Sequence, residues 1–169
     1  MQHAIVFLDR ESVDAKVRRP NFPHTYKEYD STWTVEEILD RLKDATIAII
    51  NKVPMRAETL KQLPKLKLIA VAATGTDIVD KKYCREHGIT VVNIRNYAFN
   101  TVPEHVLALM FALRRNLLAY VEDVGKGRWN KSQQFCFFDH PIRDIAGSTM
   151  GIVGYGAIGK EVGKRAQAL

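Results

Sequence analysis

The chain has 169 residues, of which 46% are hydrophobic and 26% are charged, and its formal net charge is +6. This balance is typical of a soluble globular protein with one core, or with one core and part of a second. No apolar run approaches the roughly 18 residues that span a membrane, and the first residues lack the pattern of a secretion signal.

The basic residues and the cysteines indicate which ligands and which cellular compartment to expect. Lysines and arginines are scattered, without the basic helix face or the aromatic interleaving of a nucleic-acid interface. A dispersed positive charge suits small anionic ligands instead. Cys84 and Cys136 lie in dissimilar contexts and form no motif, so we expect reduced thiols in a cytoplasmic protein.

Short apolar runs alternate with helix-like segments over the first 98 residues. Strands are predicted at 4–9, 25–29, 46–51, 66–73 and 89–93, and helices at 35–44, 57–63 and 78–87. Thr34 and Glu37 match a capping box at the first helix, and Gly88 is a typical stop for the third. The alternation predicts a doubly wound parallel α/β sheet with helices on both faces, in a domain over residues 1–98.

A long apolar helix and an aromatic-rich arm open the second part of the chain, residues 99–169. Thr101 and Glu104 match a second capping box and predict a helix over 101–124. Its broad apolar stripe fits either a core helix with several neighbours or an oligomer interface. The irregular arm, 125–146, carries many aromatic residues, which favours packing on a surface such as a second subunit. We therefore expect a homodimer formed through this helix and arm.

A glycine loop near the end of the chain predicts dinucleotide binding. An apolar strand is predicted at 150–153, and a GxGxxG motif follows it and opens a helix. In such a loop Gly154 permits the tight turn, Gly156 admits a pyrophosphate, and Gly159 allows the helix to pack closely on the strand. The alternative is a strand-to-helix turn without a ligand. A Rossmann unit continues with a second strand and an acidic residue about 20 positions on; since the sequence stops at Leu169, we expect a longer enzyme.

Three motifs in this order resemble the N-terminal part of the D-isomer-specific 2-hydroxyacid dehydrogenases, in particular their glycerate dehydrogenase (hydroxypyruvate reductase) group. They are Ala-Ala-Thr-Gly-Thr-Asp at 72–77, Asn-Thr-Val-Pro-Glu-His at 100–105, and the glycine segment at 151–163. The resemblance implies a flavodoxin-like substrate domain followed by the start of a Rossmann NAD-binding domain, with the active site in the cleft between them.

The resemblance also implies binding residues. Backbone amides of Thr74 and Gly75 would hold the substrate carboxylate, and successive amides in a turn do form anion-binding nests, although a plain turn is the alternative for this loop. Val102 would lie against the nicotinamide, unless it is an ordinary buried contact. The cofactor would be NAD, with NADP left open, and its pyrophosphate would lie on Gly154, Gly156, Ala157, Ile158 and Gly159. Many members carry Arg or another polar residue in place of Ala157, so binding here would depend on backbone amides.

The resemblance assigns no catalytic residue to this chain. The Arg, the acid/base His and the carboxylate of the family would lie beyond Leu169, so the 169-residue chain alone is expected to be inactive. His105 is interpreted as structural, His140 as exposed or packed at an interface, and Lys52 as a cleft residue or a solvated lysine. No metal site is predicted.

Two other classes of protein remain as alternatives. One is a dinucleotide-binding interaction protein, as in the corepressors that resemble these dehydrogenases, which a hydrophobic peptide-docking groove on the first domain would favour. The other is a methyltransferase-type glycine loop, which the preceding α/β domain disfavours.

Overall fold

The apolar runs of the first part of the chain pair into a five-stranded, all-parallel sheet. A computed structural model describes residues 2–169, which divide into one unit ending at Arg95 and a second spanning Asn96–Leu169. The strands are β1 (His3–Phe7), β2 (His24–Glu28), β3 (Ile47–Ile50), β4 (Leu68–Val71) and β5 (Thr90–Asn93). Their order, β2-β1-β3-β4-β5, is that of flavodoxin-like folds, which confirms the predicted α/β class.

Three short helices connect these strands: α1 (Val35–Leu42), α2 (Ala57–Leu60) and α3 (Lys81–Glu86). The capping box at α1 is confirmed, because Thr34 Oγ1 accepts from Glu37 N at 3.2 Å and Glu37 Oε2 accepts from Thr34 N at 3.1 Å. Bonds from the Trp33 and Thr34 amides lower the pKa of Glu37. Helix α3 begins later than predicted because Asp80 caps it, accepting from Tyr83 N at 2.9 Å.

The two faces of the sheet are covered differently within the first unit. The row Val6, Ala48, Ile69 and Val91 faces the main core, to which α1, α2 and α3 contribute Ile38, Leu42, Leu60 and Cys84. On the other face, the row Phe7, Ile49, Ala70 and Val92 lines a groove of about 340 Å³, together with residues from the segment 13–17. The three predicted helices therefore all lie on one face of the sheet. The other face is covered by an irregular segment instead of a helix, and Pro20 and Pro23 follow this segment in the sequence.

The second unit contains α4 (Thr101–Arg114), α5 (Leu117–Gly125) and α6 (Ala157–Ala166). The prediction of one continuous helix over 101–124 is wrong, because Asn116 adopts a left-handed conformation with φ +48°. Asparagine tolerates this conformation better than most residues. The arm stabilises the break: Arg143 N donates to the freed Arg114 carbonyl at 2.9 Å, and Asn116 Nδ2 donates to Pro141 O.

Two further local predictions for the second unit are wrong. Helix α4 follows Asn100 and has no side-chain cap, so Thr101 is the first helical residue and not half of a capping box. Residues 150–153 form no strand, and Val153 is fully exposed. Strand backbone groups need a neighbouring strand as hydrogen-bond partner, and the described residues of Asn96–Leu169 include none.

Candidate functional site

The loop after β4 is fixed in place at the carboxyl edge of the sheet. Its Ala73 carbonyl accepts from Ile94 N at 3.1 Å, and Thr74 Oγ1 donates to Ile94 O at 3.0 Å. Asn93 Nδ2 donates to Thr74 O at 2.7 Å. These bonds tie one side of the loop to the end of β5, so the conformation of its backbone is set by the sheet.

Two amides of this loop are free to bind a ligand. Within residues 2–169, neither Thr74 N nor Gly75 N donates to any protein acceptor, and both residues are exposed. A Cβ added at Gly75 would lie 3.1 Å from Asp77 Oδ1, so this position is closely surrounded. Successive unpaired amides on a fixed turn form an anion-binding concavity. The geometry therefore suits the carboxylate that the sequence places here.

A second loop, after β3, is held by a buried carboxylate. Asp9 is 6% exposed and accepts from Asn51 N at 2.9 and 3.0 Å and from Lys52 N at 2.6 Å. Asn51 Nδ2 in turn donates to Ser12 Oγ at 3.0 Å. The sequence reasoning identified Asp9 only as the end of a strand. A signal was available, because a polar side chain lies at or within two residues of the ends of β1, β3 and β5, and these ends share one edge.

A cavity of about 530 Å³ opens at the carboxyl ends of β1, β2 and β3. This is the point where the strand order reverses, which is where ligands bind in open α/β sheets. Trp33 at its rim is 84% exposed. Its lining includes Asp9, Glu11, Asp30, Trp33, Lys52 and Val53.

The glycine loop of the second unit has the backbone of a phosphate cradle. The first backbone bond of α6 runs from Lys160 N to Gly156 O at 3.0 Å. The amides that precede Lys160 in the first turn of α6 therefore have no protein acceptor among the described residues. Gly154 has φ +94°, which favours glycine. A Cβ at Gly159 would lie 2.2 Å from Gly154 O, so no side chain fits there. Unpaired amides at a helix N-terminus suit phosphate oxygens.

The predicted cofactor residues are only partly brought together. Gly154, Ile158 and Gly159 line a cavity of about 380 Å³ beside Val106. Gly156 and Ala157 are the N-cap and first residue of α6. Val102 lies one turn before Val106 on α4, is 40% exposed and does not line this cavity. Its predicted contact with the nicotinamide stays a prediction.

The chain has five histidines, and none of the three in the first unit lies at the carboxyl edge of the sheet. The five are His3 and His24, which begin β1 and β2, then His87 after α3, His105 in α4 and His140 in the arm. His140 Nε2 lies 2.8 Å from Asp123 Oδ2. The described residues also contain no cluster of three metal-ligating side chains. No helix among them is long and apolar enough to cross a membrane.

Comparison with known proteins identifies the family. A model of the D-isomer specific 2-hydroxyacid dehydrogenase catalytic domain matches residues 5–163. The chain belongs to the D-isomer specific 2-hydroxyacid dehydrogenase family, which confirms the resemblance carried by its three motifs.

Individual relatives agree with this assignment. A glycerate dehydrogenase of Methylorubrum extorquens is 71% identical over 169 residues, covering 100% of this chain and 54% of that protein. A hydroxypyruvate reductase of Blautia hydrogenotrophica is 37% identical over 143 residues, covering 83% and 44%. A crystal structure of D-lactate dehydrogenase from Aquifex aeolicus complexed with NAD and lactic acid aligns with TM-score 0.71 at 25% identity, covering 98% and 48%. The chain thus spans about half the length of these relatives.

Proposed function

We propose that the natural full-length protein is a dehydrogenase that interconverts glycerate and hydroxypyruvate. The observation that carries this proposal is the pair of free amides at Thr74 and Gly75, fixed at the carboxyl edge of the sheet. Support for this substrate comes from the 71% identity to a glycerate dehydrogenase and from the similarity to a hydroxypyruvate reductase. In the direction of reduction, C2 of the keto acid gains a hydride and its oxygen gains a proton, giving the 2-hydroxy acid.

We propose NAD(H) as the cofactor. The free amides at the start of α6, with the close contact of Gly159 and Gly154, suit a pyrophosphate. The nicotinamide, when bound, would supply or accept the hydride. The D-lactate dehydrogenase structure that this chain resembles is complexed with NAD, which supports a nicotinamide cofactor. The proposed role of this chain is to bind the phosphates at Gly154–Gly159 and the substrate carboxylate at Thr74 and Gly75.

The direct test is NADH oxidation by the natural full-length protein with hydroxypyruvate, followed by NADH absorbance. We expect saturable turnover that is faster with NADH than with NADPH. Absence of turnover with hydroxypyruvate would contradict the proposed substrate. A strong preference for NADPH would contradict the proposed cofactor. We expect the 169-residue chain alone to be inactive, since no histidine of the first unit lies at the carboxyl edge of its sheet to act as a general acid.

We further propose a homodimer, formed through α4, α5 and the arm 125–146, in a cytoplasmic protein. Large apolar side chains stand exposed along these segments, including Leu109, Leu113, Leu117, Leu118, Val121, Phe135 and Phe138. The free thiols of Cys84 and Cys136 fit a reducing compartment. Light scattering of the full-length protein should give a dimer, and Leu118→Asp should dissociate it. Phe22→Asp, at an exposed site in the first unit, is the matched control.

A further inference from the structure

Two loops of the first unit face each other at the carboxyl edge of the sheet. Before the loops, β3 and β4 pair as far as Ile50 and Val71, and Ala72 N extends the ladder by donating to Ile50 O at 2.7 Å. After the loops, the two segments of the chain pair again at a parallel bridge between Met55 and Val79. The segments 51–54 and 72–78 are therefore joined at both ends, with backbones separated there by about the 4.8 Å spacing of neighbouring strands.

Lys52 occupies the middle of the first of these loops. Its own amide is bound by Asp9, and the next side chain, Val53, is 3% exposed, so the backbone on both sides is fixed. The Lys52 side chain is exposed and lines the 530 Å³ cavity. Lys52 and the free amides of Thr74 and Gly75 therefore lie on two loops that leave the same edge of the sheet and are joined at both ends.

The charge of Lys52 is available for a ligand. Its ammonium makes no hydrogen bond or ion pair within residues 2–169. Two neighbouring cations are already committed: Arg10 donates to Ala15 O at 2.7 Å, and Arg56 donates to Asp77 O at 2.8 Å. A lysine on a fixed backbone presents three donors at the end of a flexible stem.

We infer that Lys52 is a specificity-determining residue, which donates a hydrogen bond from Nζ to an oxygen on C3 of the substrate. The inference rests on the proposed function, in which Thr74 and Gly75 hold the carboxylate at C1. The favoured class is 2-keto acids with a neutral oxygen substituent at C3. An anionic substituent would also meet the carboxylates of Glu11 and Asp30, which line the same cavity, and like charges repel.

The test compares hydroxypyruvate with pyruvate, which lacks the C3 oxygen, on the natural full-length protein. Lys52→Met keeps the length of the side chain and removes its charge. We expect kcat/KM for hydroxypyruvate to fall roughly 10- to 100-fold, mainly through KM, as for the loss of a charge-assisted hydrogen bond. The value for pyruvate should stay largely unchanged, and Lys52→Arg should restore part of the preference.

The matched control is Lys65→Met, because Lys65 pairs with Asp44 at 2.6 Å outside the cavity. Pyruvate turnover by Lys52→Met also reports that the variant is folded, since Asp9 binds the backbone amide and not the side chain. An equal loss with both substrates, or no loss with either, would overturn the inference. Failure of the wild type to reduce both keto acids would instead overturn the proposed function.

Discussion

The two units of this chain place their apolar residues in opposite ways. Among the described residues, all the buried apolar side chains except Pro103 and Val162 lie in the first unit, around five paired strands. The second unit has three helices and leaves large side chains such as Leu113, Leu118 and Val153 exposed. Strands of only four or five residues are ordered in the first unit because each has a neighbour. An equally apolar run at 150–153 remains irregular without one.

The same difference applies to the two loops that we propose bind ligands, one in each unit. In the first unit, each free amide belongs to a loop whose ends are fixed by the sheet. In the second unit, the glycine loop depends on its own close contacts, chiefly that of Gly159 with the Gly154 carbonyl. Substitutions of residues that fix the loops of the first unit should therefore change stability, while those in the glycine loop should change cofactor binding.

The largest effect is expected at Asp9. Asp9→Ala leaves two backbone amides without their acceptor, so the free energy of unfolding should fall by about 2–4 kcal/mol. Asp9→Asn retains one carbonyl acceptor and should lose about half as much. Denaturant unfolding of the full-length protein measures both, with Asp40→Ala on the exposed face of α1 as the control. A fall no larger than that of the control would show that Asp9 does not hold the loop after β3.

Gly159→Ala tests the second unit. The new Cβ would lie 2.2 Å from Gly154 O, and overpacking of this kind costs about 1–3 kcal/mol. We expect the Kd for NADH, measured by fluorescence titration, to rise roughly 5- to 100-fold. Gly125→Ala introduces a Cβ with no atom within 4 Å and should leave the Kd unchanged. Equal affinities for the two variants would mean that the glycine loop does not bind the cofactor.

Two threonines that share one sequence pattern should respond differently. Thr34 caps α1, and Thr34→Ala should cost about 1 kcal/mol of unfolding free energy. Thr101 caps nothing, and Thr101→Ala should stay within about 0.5 kcal/mol of the wild type. Thermal or denaturant unfolding compares the pair. A larger loss at Thr101 would restore the second capping box that the sequence predicts.

The smallest effect is a pH dependence at α1. The pKa of Glu37 is lowered, first by the Trp33 amide and then by the Thr34 amide, so its carboxylate stabilises the folded state. This contribution is fully present above the unfolded pKa of 4.5 and is lost as the pH falls through the lower folded value. Glu37→Gln should therefore destabilise the protein more at neutral pH than below pH 4.5. The same difference at both pH values would rule out the carboxylate as the cause.

The sequence predicted the elements that depend on local patterns. Alternating apolar runs gave all five strands of the sheet, and the Thr34 box gave the start of α1. Predictions failed where a distant segment decides the outcome. The break at Asn116 depends on the bond that Asn116 donates to Pro141 O and the bond that Arg143 N donates to Arg114 O, and helical periodicity encodes neither.

The motifs predict Thr74, Gly75 and the glycine loop as binding residues, but the sequence does not predict the bond from the Lys52 amide to Asp9 that holds the loop after β3. Asp9 and Lys52 are 43 residues apart in sequence and meet only because β1 and β3 are neighbours. The polar residues that follow the strands were the available signal, and its meaning depends on the order of strands in the sheet.

The most direct test of the central claim is a crystal structure of the natural full-length protein with NAD and glycerate bound. We expect a glycerate carboxylate oxygen about 2.9 Å from Thr74 N and another at a similar distance from Gly75 N, with Lys52 Nζ on the C3 hydroxyl side of the ligand. A carboxylate bound elsewhere, with both amides left to solvent, would show that this loop does not hold the substrate.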